Sequence, residues 1–176
     1  IMQALPLLPT EEEGRLMDPV LRENFIERIF VYHRWQSLLR SGLTPARLVD
    51  FHTNHKFSVL AHDEAAYRAL GRIVAEYGSA DLPQLAERYA TQLMTAMKKR
   101  ATRKLHSNVL QHIMGFLKEK IDGDDKAELL EVIGKYRHGQ IPLIVPVTLL
   151  QHHLRRHPDP YITRQYYLEP HPEELM

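Results

Sequence analysis

The sequence predicts an all-α protein, a single compact bundle of about seven helices joined by short connections. Every apolar pattern repeats at intervals of three or four residues, and none alternates with the period of a strand. Proline, glycine and capping residues separate these patterns at regular intervals. The chain has 176 residues, of which 44% are apolar and 26% charged. This composition supplies one buried core and excludes bulk disorder.

The first four helices are predicted from their start signals. A side chain that caps free backbone amides, followed by proline at the first helical position, is a typical helix start. The start signals are, in order, Asp18-Pro19, Thr44-Pro45, Asp63 and Leu82-Pro83. Ser41-Gly42 ends the first helix and Gly78 ends the third, because glycine readily adopts the backbone geometry that follows a helix.

The second half of the chain predicts three or four more helices. Thr102 opens the fifth, which runs to residues 118–120. Asp124 or Asp125 opens the sixth, which closes at Gly139. Residues 141–146 contain two prolines and are expected to form an extended connector. The remaining predicted elements are a seventh helix over 148–157 and a short eighth over 160–165.

Two domain-level segments are expected. Residues 1–17 contain two prolines, a glycine and an acidic triplet, and they predict a linker from an upstream domain. Residues 18–176 form the helical domain, with an extended C-terminal tail. The longest apolar run, 141–150, is too short to span a bilayer, and no secretory signal is visible, so no membrane partner and a cytoplasmic location are expected.

Positive charge is concentrated in one part of the chain. The formal net charge is only +1, but residues 19–168 carry 22 basic and 15 acidic side chains. Seven Lys and Arg residues and no Asp or Glu lie between Arg88 and Lys118. Five of the seven are Lys98, Lys99, Arg100, Arg103 and Lys104. Such a one-sided field favours a polyanionic partner, although cations also stabilise the end of a preceding helix.

Several polar residues extend this hypothesis of nucleic-acid binding. His106 and Asn108 follow the basic run on the fifth helix and could meet base edges or ribose hydroxyls. Arg155 and Arg156 lie in a second basic group and would add phosphate contacts if they share that face. A solvated helix end explains this second group equally well.

A histidine cluster on the second helix has three interpretations. His52, His55 and Lys56 are candidates for a specific RNA contact. The same histidines with His62, and Asp50 or Asp63, could form a metal site, which would make the chain a metal-dependent enzyme. Histidines at such spacings are more often packed and hydrogen-bonded inside the protein, so no metal ligand is assigned.

Aromatic residues and absent motifs limit the binding and catalytic functions that the sequence supports. Tyr32 is assigned to the core, and Trp35 and Tyr167 are left as either core residues or base-stacking groups. An apolar surface near Trp35 or 141–146 could instead dock a partner protein. The chain has no cysteine, which excludes a thiolate metal site, and it has neither a glycine-rich phosphate loop nor a nucleophile elbow. No catalytic residue is assigned.

Several strings together resemble one family, the bacterial YbgA-like helical domain, over about residues 14–176. They are Leu21-Arg22-Glu23-Asn24-Phe25-Ile26-Glu27-Arg28, Phe51-His52-Thr53-Asn54-His55-Lys56, Ala61-His62, Asn108-Val109-Leu110-Gln111-His112, Gly115-Phe116, Lys126-Ala127-Glu128-Leu129-Leu130, residues 142–150 and residues 170–175.

The resemblance implies a function for the domain. Members of this family occur alone or fused behind a desulfidase domain that holds a 4Fe–4S cluster and removes sulfur from 4-thiouridine in tRNA. The expected partners are therefore tRNA and the desulfidase domain of the same natural chain, with no DNA specificity. This chain has no cysteine for the cluster, so no cofactor is expected in it and its expected role is non-catalytic tRNA binding.

Overall fold

The computed structural model describes residues 6–78 and 80–172, and it confirms the all-α prediction. Within these residues the chain forms seven α-helices and no strand. The helices are α1 (Pro19–Arg40), α2 (Pro45–His62), α3 (Glu64–Ala75), α4 (Leu82–Met97), α5 (Arg103–Gly115), α6 (Gly123–Arg137) and α7 (Ile144–Arg156). Two short 3₁₀ turns, Glu13–Met17 and Glu76–Gly78, precede α1 and follow α3.

Six of the seven helices begin at a side-chain cap. In each, an Asp or Thr oxygen accepts a hydrogen bond from a backbone amide of the first turn, which would otherwise lack a partner. The capping residues are Asp18, Thr44, Asp63, Asp81, Thr102 and Asp122. The predicted starts of the first five helices are confirmed, and α6 begins slightly before the predicted Asp124.

Two predicted boundaries and one predicted helix in the second half of the chain are wrong. Helix α5 ends at Gly115, and turns occupy 116–120. Helix α7 begins at Ile144 instead of residue 148, so part of the predicted extended connector is helical. Pro146 is tolerated there because it lies in the first turn, where its missing N–H has no helical acceptor. The predicted eighth helix over 160–165 consists only of hydrogen-bonded turns.

Helix α2 lies at the centre of the fold and contacts α1, α3, α4 and α5. It contributes to both apolar clusters of the core. Leu48, Phe51 and Val59 pack with α1, α3 and α4, whereas Phe57 and Leu60 pack with α5, α6, α7 and the C-terminal segment. The two clusters therefore lie on either side of one helix.

The segment after α7 closes the structure over α1 and α2. The Gln165 side chain donates to the Thr53 carbonyl over 2.8 Å, and Arg34 donates to the Pro170 carbonyl over 2.6 Å. We call residues 158–172 the C-terminal strap. The strap contains the predicted eighth helix over 160–165 and the described part of the predicted tail, and residues 173–176 lie outside the described residues.

The described part of the predicted N-terminal linker packs against the bundle. Leu7 contacts the apolar cluster of α1, α3 and α4, and Arg28 on α1 donates to the Thr10 carbonyl over 2.6 Å. Residues 1–5 lie outside the described part of the chain. Among the described helices, none combines the length and the apolar character needed to cross a bilayer.

Candidate nucleic-acid interface

The predicted basic run lies on the connection between α4 and α5, which the interior of the protein holds in place. The Ala101 amide donates to Asn24 Oδ1 of α1 over 2.8 Å, and the Lys99 carbonyl accepts from His62 Nδ1 of α2 over 2.5 Å. Thr102 then caps α5. The backbone that carries the cations is therefore fixed to two helices from beneath.

A buried ion pair lies directly under this connection. His62 Nε2 is 3.0 Å from Glu27 Oε2, and both residues are buried. A carbonyl and a carboxylate can only accept hydrogen bonds, so both ring nitrogens of His62 donate and the ring is an imidazolium. Burial by itself would lower the pKa of His62, but the hydrogen bond and negative charge of Glu27 raise it above its usual value.

Glu27 is stabilised as a carboxylate by the same contacts. Burial tends to raise its pKa, whereas the hydrogen bond and charge of His62 lower it, and the net result is a lowered pKa. The Ser58 hydroxyl also lowers this pKa, although its oxygen lies outside ordinary hydrogen-bond geometry. Both partners are therefore charged, and each depends on the other for its ionisation.

Four of the five predicted basic-run cations are exposed and make no ion pair with the described residues. They are Lys98, Arg100, Arg103 and Lys104, and we call this set the basic corner. The fifth, Lys99, is also exposed but is bound to Asp63, the cap of α3. Asp63 thus removes one cation from the set that the sequence predicted.

The basic corner curves around the α4–α5 connection instead of forming a flat patch. Lys98 and Arg100 line a small depression with Glu11 and Arg15, on the side of α1. Arg103 lies beside Gly139, just after the C-terminal end of α6, where a Cβ on this glycine would lie 3.0 Å from Arg103 Nη1. Gly139 has a φ of +78°, so both its conformation and this close approach favour glycine.

The other predicted RNA contacts lie on α2, α5 and α7. Asn108 is half-buried on α5, and Lys56 lies over the Tyr161 ring, 4.6 Å from its centroid. Arg155 and Arg156 are exposed at the end of α7, and Arg155 lines a different cleft from the one at the corner. Arg155 therefore lines a site separate from the depression at Lys98 and Arg100.

One further predicted RNA contact, His106, is half-buried, and the two open aromatic residues belong to the core. His106 Nδ1 lies 3.0 Å from the Tyr167 hydroxyl, and burial lowers the pKa of His106 to about 4, so its ring is neutral near pH 7. Tyr167 is 6% exposed and Trp35 is 2% exposed, which assigns both to the core and removes Trp35 as a docking surface. Tyr32 packs against the core as predicted.

The hypothetical metal site is not assembled in this structure. His52 faces the Tyr89 hydroxyl, His55 donates to the Phe51 carbonyl, and His62 binds Glu27. Burial lowers the pKa of His52 to about 4 and that of His55 to about 3. Within residues 6–78 and 80–172, no group of three His, Asp or Glu side chains is arranged to hold a metal ion.

The structure also contains a cleft that the sequence analysis missed. It has a volume of about 610 Å³ and lies between α2, the end of α7 and the C-terminal strap. Asp50, Asn54 and Tyr166 line both this cleft and a neighbouring one of about 460 Å³. We call the larger one the Asp50 cleft. Asp50 and Asn54, one turn apart on α2, form one wall, and the path of the strap, which forms another, was not readable from the sequence.

Comparisons with known proteins identify a family and a relative whose descriptions name no activity. A family model described as "Protein of unknown function (DUF1722)" matches residues 56–172. The chain is 32% identical over 143 residues to "Uncharacterized protein YbgA" from Escherichia coli (strain K12), which covers 81% of this chain and 85% of that protein. No solved structure matches the chain.

Replacing Glu27 tests the buried ion pair. We expect Glu27→Gln to lower the free energy of unfolding by about 3–5 kcal/mol, because it leaves the His62 charge buried without a counter-charge. Urea denaturation at pH 6 measures this change. Glu131→Gln, which removes an exposed carboxylate paired with Lys135, is the control and should change stability by less than about 1 kcal/mol. Equal effects of the two variants would contradict the assignment.

Stability should also fall in mild acid. The folded-state pKa values of His52, His55 and His106 lie well below the unfolded value of about 6.5. The unfolded chain therefore binds more protons below pH 6.5, so the free energy of unfolding decreases as the pH falls. His62 has a raised pKa and is already protonated in the folded state at pH 6.5, where the unfolded residue is only about half protonated. It therefore opposes this slope near pH 6.5 and adds none near pH 5, where both states are protonated.

Urea titrations between pH 6.5 and 5 measure this slope. Up to three protons are involved, and each contributes about 1.4 kcal/mol per pH unit. His55→Gln should flatten the slope by about one proton. A slope that is unchanged in His55→Gln would show that this ring is not the buried neutral histidine described above.

Proposed function

The chain belongs to the DUF1722 family, and we propose that it is a non-catalytic tRNA-binding module. In this proposal it presents tRNA that contains 4-thiouridine to a partner iron–sulfur desulfidase domain. The observation that carries the proposal is the basic corner, where four exposed cations have no carboxylate partner among the described residues. Phosphates supply the missing negative charge.

The rigidity of the α4–α5 connection supports this proposal. Its backbone is held by Asn24 and His62 before any ligand binds. A preorganised backbone loses less conformational entropy when the side chains engage phosphates. Two of the four cations are arginines, whose planar guanidinium groups fit phosphate oxygens in pairs.

The shape of the basic corner agrees with a folded RNA as the partner. Its cations face α1 on one side and α6 on the other, so they can follow phosphates on a curved backbone. Contacts with phosphates fix the position of a nucleic acid but do not read its sequence. We therefore assign the corner to holding tRNA, and we assign no base recognition to it.

The desulfidase chemistry is assigned to a partner because of the composition of this chain. A 4Fe–4S cluster is held by cysteine thiolates, and this sequence contains no cysteine. The resemblance to domains fused with tRNA 4-thiouridine desulfidases supplies the identity of the partner. In the proposed complex, this chain binds the tRNA in the cytoplasm and the partner performs the reaction.

Salt-dependent binding of tRNA tests the proposal. We expect Lys98→Ala, Arg100→Ala and Lys104→Ala, combined in one variant, to weaken tRNA binding at least tenfold at low salt. The plot of log affinity against log salt should lose about one unit of slope for each phosphate contact removed. Fluorescence anisotropy with labelled tRNA at several salt concentrations measures both values.

A charge-matched control separates the basic corner from general attraction. Arg40→Ala, Arg72→Ala and Lys126→Ala together remove the same number of positive charges from residues that form no ion pair within the described part of the chain and line none of the clefts described above. This variant should retain most of the affinity and slope. Equal losses in the two triple variants would overturn the assignment of the corner as the binding surface.

A further inference from the structure

The floor of the Asp50 cleft and its neighbour contains four buried polar atoms that have no hydrogen-bond partner. They are Arg34 Nη1, Asn54 Oδ1, His55 Nε2 and Gln165 Oε1. All four residues line one or both clefts, and the side chains of His55 and Gln165 are nearly fully buried, at 1% and 2% exposure. A buried polar atom without a partner costs free energy, so four beside two adjoining clefts favour a ligand that supplies hydrogen-bond partners there.

Three of these four atoms are hydrogen-bond acceptors. Gln165 directs its amide nitrogen at the carbonyls of Thr53 and Tyr161, which fixes its oxygen as the free atom. Asn54 directs its amide nitrogen at the Asp50 carboxylate. His55 donates from Nδ1 to the Phe51 carbonyl, so Nε2 of the neutral ring carries the lone pair. The ligand must therefore bring several N–H or O–H donors.

Charge around the cleft indicates what carries those donors. Arg155 and Arg164 line the Asp50 cleft, and Arg34 and Arg47 line its neighbour. Four guanidinium groups outnumber the carboxylates of Asp50 and Glu169 in the two linings, so they disfavour a polyamine or a basic peptide. A neutral group that carries several hydrogen-bond donors and is attached to an anion fits both the buried acceptors and the arginines that line the clefts.

An exposed ion pair lies where the two clefts meet. Arg164 Nη1 is 3.0 Å from Asp50 Oδ1, and each side chain is more than half exposed. Exposed pairs of this kind contribute little to stability, so Arg164 can turn away from Asp50 at small cost. Asp50 also accepts from the Asn54 amide nitrogen, so that movement would change the cover of Asn54, whereas the Tyr166 ring packs against Arg34 and His55.

We propose that the Asp50 cleft binds one unpaired nucleotide of an RNA strand, with its base against Asn54 and Gln165 and its phosphate against Arg155 and Arg164. This inference rests on the proposed RNA-binding function and adds a second, base-reading contact to the basic corner. Nucleobases carry ring N–H and amino donors, and single-stranded RNA is recognised by amide contacts to exposed base edges. A paired base cannot present those edges to a cleft.

Two short RNAs test this proposal with the full chain. One is a labelled single-stranded octanucleotide of mixed sequence, and the other is a labelled RNA duplex of twelve base pairs. We expect Asn54→Ala and Arg155→Ala each to weaken binding of the single strand about fivefold to tenfold, as one lost hydrogen bond or ion contact does. Binding of the duplex should change by less than twofold. Arg72→Ala, on α3 away from the cleft, is the control and should alter neither affinity.

The outcomes distinguish the cleft from the basic corner. If wild-type protein binds both RNAs and Asn54→Ala leaves single-strand binding unchanged, the cleft assignment is wrong while RNA binding stands. If Arg155→Ala weakens both RNAs equally, Arg155 supplies only general attraction, and the cleft assignment is also overturned. If wild-type protein binds neither RNA at low salt, both proposals fail. Arg155 is exposed at a helix end, so its variant remains informative even if Asn54→Ala fails to fold.

Discussion

The buried ion pair between Glu27 and His62 is the constraint on which the rest of the structure depends. Two opposite charges inside a protein are stable only when their geometry is good and their remaining hydrogen-bonding groups are satisfied. Here the second ring nitrogen of His62 meets that condition by donating to the Lys99 carbonyl. The pair therefore joins α1 and α2 and fixes the α4–α5 connection above them. A change in the charge of His62 would alter its hydrogen bond to the Lys99 carbonyl, which holds the backbone of the basic corner.

Helices α1 and α2 run antiparallel, and their packing also positions the residues at the opposite end of α2. Glu27 lies opposite His62, and seven residues further along α1, Arg34 lines the cleft beside His55, seven residues earlier on α2. Arg34 also lies 3.8 Å from the centroid of the Tyr166 ring and holds the strap through Pro170. One pair of helices thus supports a charged corner at one end and a polar cleft at the other. The stretch of α2 from Asp50 to His62 that separates them is about 18 Å long at the rise of an α-helix. A folded RNA is large enough to contact both.

The sequence predicted the features that depend on local signals. The caps Asp18, Thr44 and Asp63 and the apolar spacing gave the all-α fold and the early helix boundaries. The roles of the histidines were harder to predict. His52, His55 and His62 all lie on α2, but their hydrogen-bond partners come from α4, α2 and α1. The C-terminal strap was missed for the same reason, since it is held by contacts with residues more than 100 positions earlier. Asp63 neutralises Lys99 by a contact between residues 36 positions apart, so exposure was predictable for the basic run but freedom from carboxylates was not.

Amide hydrogen exchange of the full chain with and without tRNA tests the central claim most directly, because it locates the contact without altering any side chain. The account predicts that bound tRNA slows exchange in the α4–α5 connection, residues 98–104, and leaves α3 beyond its first turn unchanged. Binding of tRNA with protection confined to other surfaces, and none in 98–104, would contradict it.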